Sequence, residues 1–193
     1  MPDVTVEDAG LGPGRMVLVV GPSGAGKDTL MAALHERLKF RSDVVFARRA
    51  ITRDADPEAE DHDTLSRDEF DRLVDTQEVA LSWEAHGLGY VIPKSYDEAI
   101  AKGVTVIANG SRKVLEQSAQ KYQSAIVFLI TAPIDVLAER LSARGRETKD
   151  DIRRRLQRAD LEPDSLANLV RIENTGTVED GVAAMMKALG YQA

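Results

Sequence analysis

VVGPSGAGKDTL, residues Val19 to Leu30, is the stretch whose reading decides the fold. Gly21, Gly26 and Lys27 satisfy the spacing G-x-x-x-x-G-K. Glycines at these positions let the backbone curl until several N–H groups face one anion, and the lysine then reaches the β- and γ-phosphates of a nucleotide. With glycine at about 7% of average proteins, the triple arises by chance in about one chain in twenty of this length. The flanks make it specific. MVLVV (Met16 to Val20) reads as a buried strand, and TLMAALHERL carries Leu30, Ala33, Leu34 and Arg37 on a helical repeat. A helix starting there lends its partial positive charge to the loop. Gly21, Pro22, Ser23, Gly24, Ala25, Gly26, Lys27, Asp28 and Thr29 are therefore expected to hold the phosphates of ATP.

One position departs from the motif. Asp28 stands where a Ser or Thr normally helps to hold magnesium. A carboxylate beside a triphosphate repels it unless a divalent cation lies between them, and hard oxygen ligands suit Mg²⁺. Asp28 is accordingly expected to serve the metal, with Thr29 as a second ligand or a cap. An acid in the first helical turn is also favoured by the helix dipole alone, so that reading stays open.

Working outward, short apolar runs alternate with amphipathic stretches, the pattern of a parallel sheet wrapped by helices. VVFA (Val44 to Ala47), VTVIA (Val104 to Ala108), AIVFLI (Ala125 to Ile130) and LVRI (Leu169 to Ile172) supply four further strands. Helical patterns fall at Ser111 to Tyr122, Pro133 to Arg144, Lys149 to Leu161 and Thr177 to Leu189. Residues 51–93 break the rhythm with an acidic loop, a short helix SRDEFDRLVD and the segment LSWEAHGLGYVIP. They read as an insertion for a second substrate. The expected organisation is a loose tail over 1–14 and one α/β domain over 15–193, with core 15–50 and 94–193 and insertion 51–93.

Composition narrows the function classes. The 193 residues are 43% hydrophobic and 30% charged, as in an ordinary globular protein. The absence of cysteine excludes disulfides, thiolate metal sites and cysteine nucleophiles. The first fourteen residues lack the pattern of a signal peptide, and no apolar run is long enough for a bilayer, so a cytoplasmic protein without membrane partners is expected. A net charge of −7 argues against a nucleic-acid binder. Yet seven arginines fall between Arg140 and Arg158, in RLSARGRETKDDIRRRLQR, which suits either an anion or a solvated helix face.

The segments GPSGAGKDTL, ARRAITRDADPEAEDHDTLSRDEF, ALSWEAHGLGY, VIANGSR and LSARGRETKDDIRRRL together resemble the ribose 1,5-bisphosphate phosphokinases of phosphonate catabolism, relatives of guanylate kinase. The resemblance runs from about Val17 to the C-terminus and includes the GKD ending of the loop. It implies a P-loop nucleoside-monophosphate-kinase-like fold: a five-stranded parallel sheet, an acceptor-binding insertion and a lid, here 144–155. It also implies transfer from ATP, with Mg²⁺, to a small sugar bisphosphate, giving 5-phosphoribosyl 1-diphosphate.

Guanylate kinase is the alternative, and the departures from its pattern bear on the acceptor. Ile51, Thr52 and Arg53 match the start of that family's T-T-R-x-x-R, but Asp56 takes the place of the second arginine, and Ser82 rather than a glutamate precedes Trp83. A pocket that reads guanine N–H groups loses much of its discrimination without the acid, since unmatched buried polar groups cost about 1–3 kcal/mol each. Arg48, Arg49 and Arg53 cluster after the second strand, and Arg112 follows VTVIANGS. Planar guanidinium groups suit phosphate oxygens. Arg49, Arg53, Ser82 and Arg112 are expected at the acceptor. Arg144 and Arg155 match the lid arginines of guanylate kinase and are expected, with Lys27, to be catalytic. Asn174, after the last strand, is expected near the adenine. A binding module without chemistry would not need Gly26, Lys27 and the lid arginines together.

Overall fold

The computed structural model describes residues 10–53, 62–143, 152, 156 and 168–192. In chain order the elements are β1 (Arg15–Val20), α1 (Lys27–Leu38), β2 (Val44–Phe46), β3 (Ala50–Ile51), β4 (Asp63–Thr64), α2 (Arg67–Asp75), β5 (Val79–Ala85) and β6 (Leu88–Pro93). Then follow α3 (Ser95–Ala101), β7 (Thr105–Asn109), a 3-10 turn at Arg112–Val114, α4 (Leu115–Lys121), β8 (Ala125–Thr131), α5 (Ile134–Ser142), β9 (Leu169–Glu173) and α6 (Val178–Leu189).

The five strands expected from the apolar runs form one sheet in the order β2-β7-β1-β8-β9, with β2–β7 and β8–β9 paired in parallel. β1 is central. Its residues Met16 to Val20 are fully buried, which is why they read as a continuous apolar run and not as an alternating one. A second sheet, order β4-β3-β6-β5, lies between Ala50 and Pro93 and accounts for the break in rhythm there. The five-stranded sheet matches the expected α/β kinase architecture.

Among the described residues the chain divides into two compact units: one holds 10–17, 42–53, 62–108 and 113–125, and the other holds 18–41, 109–112, 126–143, 152, 156 and 168–192. In the first, α2 lays Phe70 on Ala50 and Val91, with Leu65, Val74 and Val79 packed around them. The helix starts where S-x-x-E says it should: the Ser66 hydroxyl accepts from Glu69 N–H (3.1 Å) and Ser66 N–H donates to the Glu69 carboxylate (2.8 Å). The Ser66 backbone N–H, and then the Ser66 hydroxyl, which also donates to this carboxylate (2.9 Å), hold the Glu69 carboxyl below the usual range. In the second unit, α6 begins with the same device, Thr177 with Asp180, and ends at Gly190 with φ 81°. Gly181 lets α6 approach closely, since a Cβ there would lie 2.7 Å from Leu30 Cδ2 of α1.

Several expectations need correction. Residues 10–14 are not a loose tail: Leu11 N–H donates to Lys121 O (2.8 Å), Gln123 N–H to Leu11 O (3.0 Å) and Gly14 N–H to Ile100 O (2.9 Å). Residues 1–9 lie outside the described residues. The helix read over Ser111 to Tyr122 is a 3-10 turn followed by α4, which closes at Lys121 because Tyr122 is extended (ψ 137°). α3 was not expected at all; it is only seven residues long and exposes one face, too short for a helical repeat to stand out. Of the pattern over Lys149 to Leu161, Ile152 and Leu156 are helical and buried, one turn apart, and the rest lies outside the described residues. No described helix is long and apolar enough to cross a membrane.

Candidate active site

The phosphate loop belongs to the second unit and is built as its sequence requires. Gly24 and Gly26 have φ of 83° and 88°, in the left-handed region that side chains disfavour. Gly26 is also the N-cap of α1, and a Cβ on it would collide with the Asn174 amide. The first intrahelical bond is Leu30 N–H to Gly26 O (3.1 Å). The N–H groups of residues 27–29 therefore form the positive end of α1. Among the described residues no side chain caps this end. Lys27 arches back over the loop, its Nζ donating to Gly21 O (2.9 Å) and Pro22 O (3.2 Å).

The loop's carbonyls are tied from behind. Asn174 Nδ2 donates to Ala25 O (2.7 Å), and Arg140 donates to Gly24 O (3.4 Å) and to Asn174 O (2.9 Å). Asn174 is itself fixed to the end of β8 by its N–H to Thr131 O (2.7 Å). Holding the carbonyls outward leaves the N–H groups of a curled loop for an anion. Arg140 and Asn174 thus support the loop. The amide of Asn174, expected near the adenine, is engaged by Ala25.

Asp28 is exposed on the first turn of α1, and its Oδ1 accepts from Nδ2 of Asn109 (3.1 Å), a 4%-exposed residue at the end of β7. Thr29 is exposed on the same turn. Among the described residues no group of three or more His, Cys, Asp or Glu gathers to hold a metal. Mg²⁺ keeps several waters and takes one or two carboxylates plus substrate phosphate oxygens. The donor set at Asp28 fits such an ion. Arg112 is exposed, at the head of the 3-10 turn.

Of the residues expected at the acceptor, Arg49, Arg53 and Ser82 lie in the first unit and Arg112 in the second. Trp83 and Tyr90 face each other across β5 and β6 with rings stacked at 5.2 Å and 2°. The Arg49 guanidinium sits 5.8 Å from the first ring and 5.5 Å from the second, and Arg49 is only 9% exposed. Arg53 lies at the end of the same segment. Its Nε is buried with no hydrogen-bond partner among the described residues. Such a donor costs about 1–3 kcal/mol unless something accepts from it. Arg48 does not join the pair, for it is bound to Asp63 (2.9 Å) and to His62 O (3.2 Å).

Ser82 is turned away from this group. Strand alternation sets Ser82 with Glu84 on the face opposite Trp83, and Glu84 meets Arg67 of α2 at 2.5 Å. The structure therefore brings Arg49 to the two aromatic rings and leaves Ser82 on the α2 side. Arg144 and Arg155 lie outside the described residues, as does Asp56.

A family profile described as an AAA domain matches residues 17–161. The chain is similar to ribose 1,5-bisphosphate phosphokinase PhnN of Agrobacterium fabrum, with 43% identity covering 92% of this chain and 97% of that protein. It is similar also to ribose 1,5-bisphosphate phosphokinase PhnN of Brucella melitensis, with 44% identity covering 91% of this chain and 92% of that protein. Among solved structures, guanylate kinase from Anaplasma phagocytophilum shares the fold at TM-score 0.60 and 18% identity, over 94% of this chain and 86% of that one.

Proposed function

The chain belongs to the ribose 1,5-bisphosphate phosphokinase family, and from that premise we propose how its residues carry out the reaction. ATP donates its γ-phosphoryl group to the anomeric phosphate of α-D-ribose 1,5-bisphosphate, giving ADP and 5-phosphoribosyl 1-diphosphate in phosphonate degradation. An oxygen of the acceptor phosphate attacks the γ-phosphorus as the bond to the β,γ-bridging oxygen breaks. That nucleophile is ionised at neutral pH, so no general base is needed. The work is to bring two anions into line and to offset charge on the transferring group.

Residues 21–29 cradle the donor phosphates, and Lys27 swings from the Gly21 and Pro22 carbonyls to the β- and γ-phosphates. Asp28, assisted by Thr29, would hold Mg²⁺, which when bound would supply positive charge against the donor phosphates. Arg144 and Arg155 neutralise the transferring group from the lid, whose closure excludes water. Arg49 and Arg53 grip the acceptor, and Arg112 contributes from the turn after β7. Both substrates are charged metabolites of the cytoplasm, where the enzyme is expected to act.

The observation that carries the acceptor assignment is the buried Arg53 Nε, whose hydrogen has no acceptor among the described residues. A phosphate oxygen supplies one. Position 82 offers no acid to read a guanine edge, and Ser82 enters the reading through that loss. The test is a comparison of kcat/KM for ribose 1,5-bisphosphate and for GMP, each with ATP and Mg²⁺, the products identified by phosphorus NMR. The bisphosphate is expected to be preferred by about 100-fold or more, the scale of discrimination when a paired polar group is lost. GMP turnover equal to or faster than that of the bisphosphate returns the chain to guanylate kinase chemistry.

A further inference from the structure

We propose that Asn109 is a positioning residue that orients the Asp28 carboxylate toward the metal. The inference rests on the metal role of Asp28 given above. In P-loop enzymes the ion is commonly held between a hydroxyl on the loop and an aspartate from a strand. Here the polarity is exchanged. The acid stands on the loop, and the residue reaching it from the end of β7 is a neutral amide.

Asp28 is exposed and, on an open helical turn, its short side chain could adopt more than one rotamer. Asn109 Nδ2 donates to its Oδ1 at 3.1 Å from a site that is 4% exposed, at the end of a strand whose five residues are all buried. A rigid donor therefore selects one orientation of a mobile acceptor. An ionised carboxylate only accepts, so one amide hydrogen uses one of about four lone-pair directions and leaves the others for a cation or its waters. An aspartate at 109 would instead set two like charges together and raise the proton affinity of the pair. Asp28 is the acid that the proposed metal role places beside the ion. Its orientation then governs affinity.

The test measures Mn²⁺ binding directly, from the free-Mn²⁺ electron paramagnetic resonance signal, at saturating β,γ-imido-ATP. Wild type, Asn109→Leu, Asn109→Ser, Asp28→Asn and Asp28→Asn with Asn109→Leu are compared after thermal melts confirm folding. Asn109→Leu is expected to raise half-saturating Mn²⁺ by about 10-fold, the lower bound for losing a partner of a metal ligand. Asn109→Ser, which keeps a hydroxyl donor, should lose less. On the Asp28→Asn background, Asn109→Leu should change nothing further. If Asp28→Asn shifts the titration and neither Asn109 variant does, the positioning role fails while the metal role stands. Equal shifts from Asn109→Leu on both backgrounds overturn it as well, because Asn109 would then act by another route. An unchanged titration in Asp28→Asn overturns the metal role and this inference together, while the substrate comparison still decides the kinase reading. Should Asn109→Leu fail to fold, the serine variant carries the same comparison.

Discussion

Lys27 shows what single residues contribute. Its ammonium lies against the Gly21 and Pro22 carbonyls, so its stem already spans the loop, and transfer to a phosphate is an exchange of acceptors. Lys27→Ala is expected to lower kcat by about 10²–10³-fold, the usual loss for one donor to developing charge. Circular dichroism and melting temperature should stay near wild type, because the residue is part-buried and is not one of the buried apolar side chains of the core. Near-normal turnover in the folded variant would remove the phosphate loop from the mechanism. At this scale the sequence exposed the loop itself, since its parts are contiguous. It could not expose Asn109, Arg140 or Asn174 as supports, for these meet the loop across 81, 116 and 149 residues, and no spacing rule links them.

Among the elements, β5 is the edge of the four-stranded sheet, and basic side chains cover its carbonyls. Lys113 Nζ donates to Glu84 O (2.6 Å) and Lys121 Nζ to Ala80 O (2.7 Å). Lys121 also pairs with Asp97 of α3 (2.7 Å), which accepts in addition from the Tyr122 hydroxyl (2.7 Å). Burial, with the bond to Asp97, pushes the Tyr122 hydroxyl well above the ordinary tyrosine value. Above pH of about 10 the unfolded chain ionises this tyrosine while the folded chain keeps it neutral, so its contribution is full below that pH and is lost as pH rises. Tyr122→Phe is expected to cost about 1–3 kcal/mol at pH 7 and to flatten the loss of stability between about pH 10 and 12. Urea unfolding across that range measures both, and an alkaline slope equal to wild type would assign the loss to other groups. The helices α2 and α6 were legible as local sequence patterns, whereas their capping boxes, Ser66–Glu69 and Thr177–Asp180, are findings of the structure; the network around Asp97 was not legible, because it joins α3 to the end of α4.

For the whole molecule, the proposed chemistry calls for positive charge on the transferring group, the role proposed above for Arg144 and Arg155. Arg144→Ala and Arg155→Ala are expected to lower kcat by about 10²-fold with little change in the KM for ATP, because their contacts are made with the reacting group and not in ground-state binding. Changes confined to KM would make them docking residues, and no change would leave the arginine segment a solvated helix. The sequence by itself determined the α/β class, the five strands of the parallel sheet and the phosphate loop, because hydrophobic period and glycine spacing are properties of neighbours along the chain. Only the tertiary structure decided that Asn109 meets Asp28, that Arg140 and Asn174 hold the loop, that Arg48 is bound by Asp63 while Arg49 turns to Trp83 and Tyr90, and that Ser82 faces the other side of β5. Each of these depends on strand order and register, which bring distant residues within hydrogen-bond reach and choose the face on which each side chain emerges.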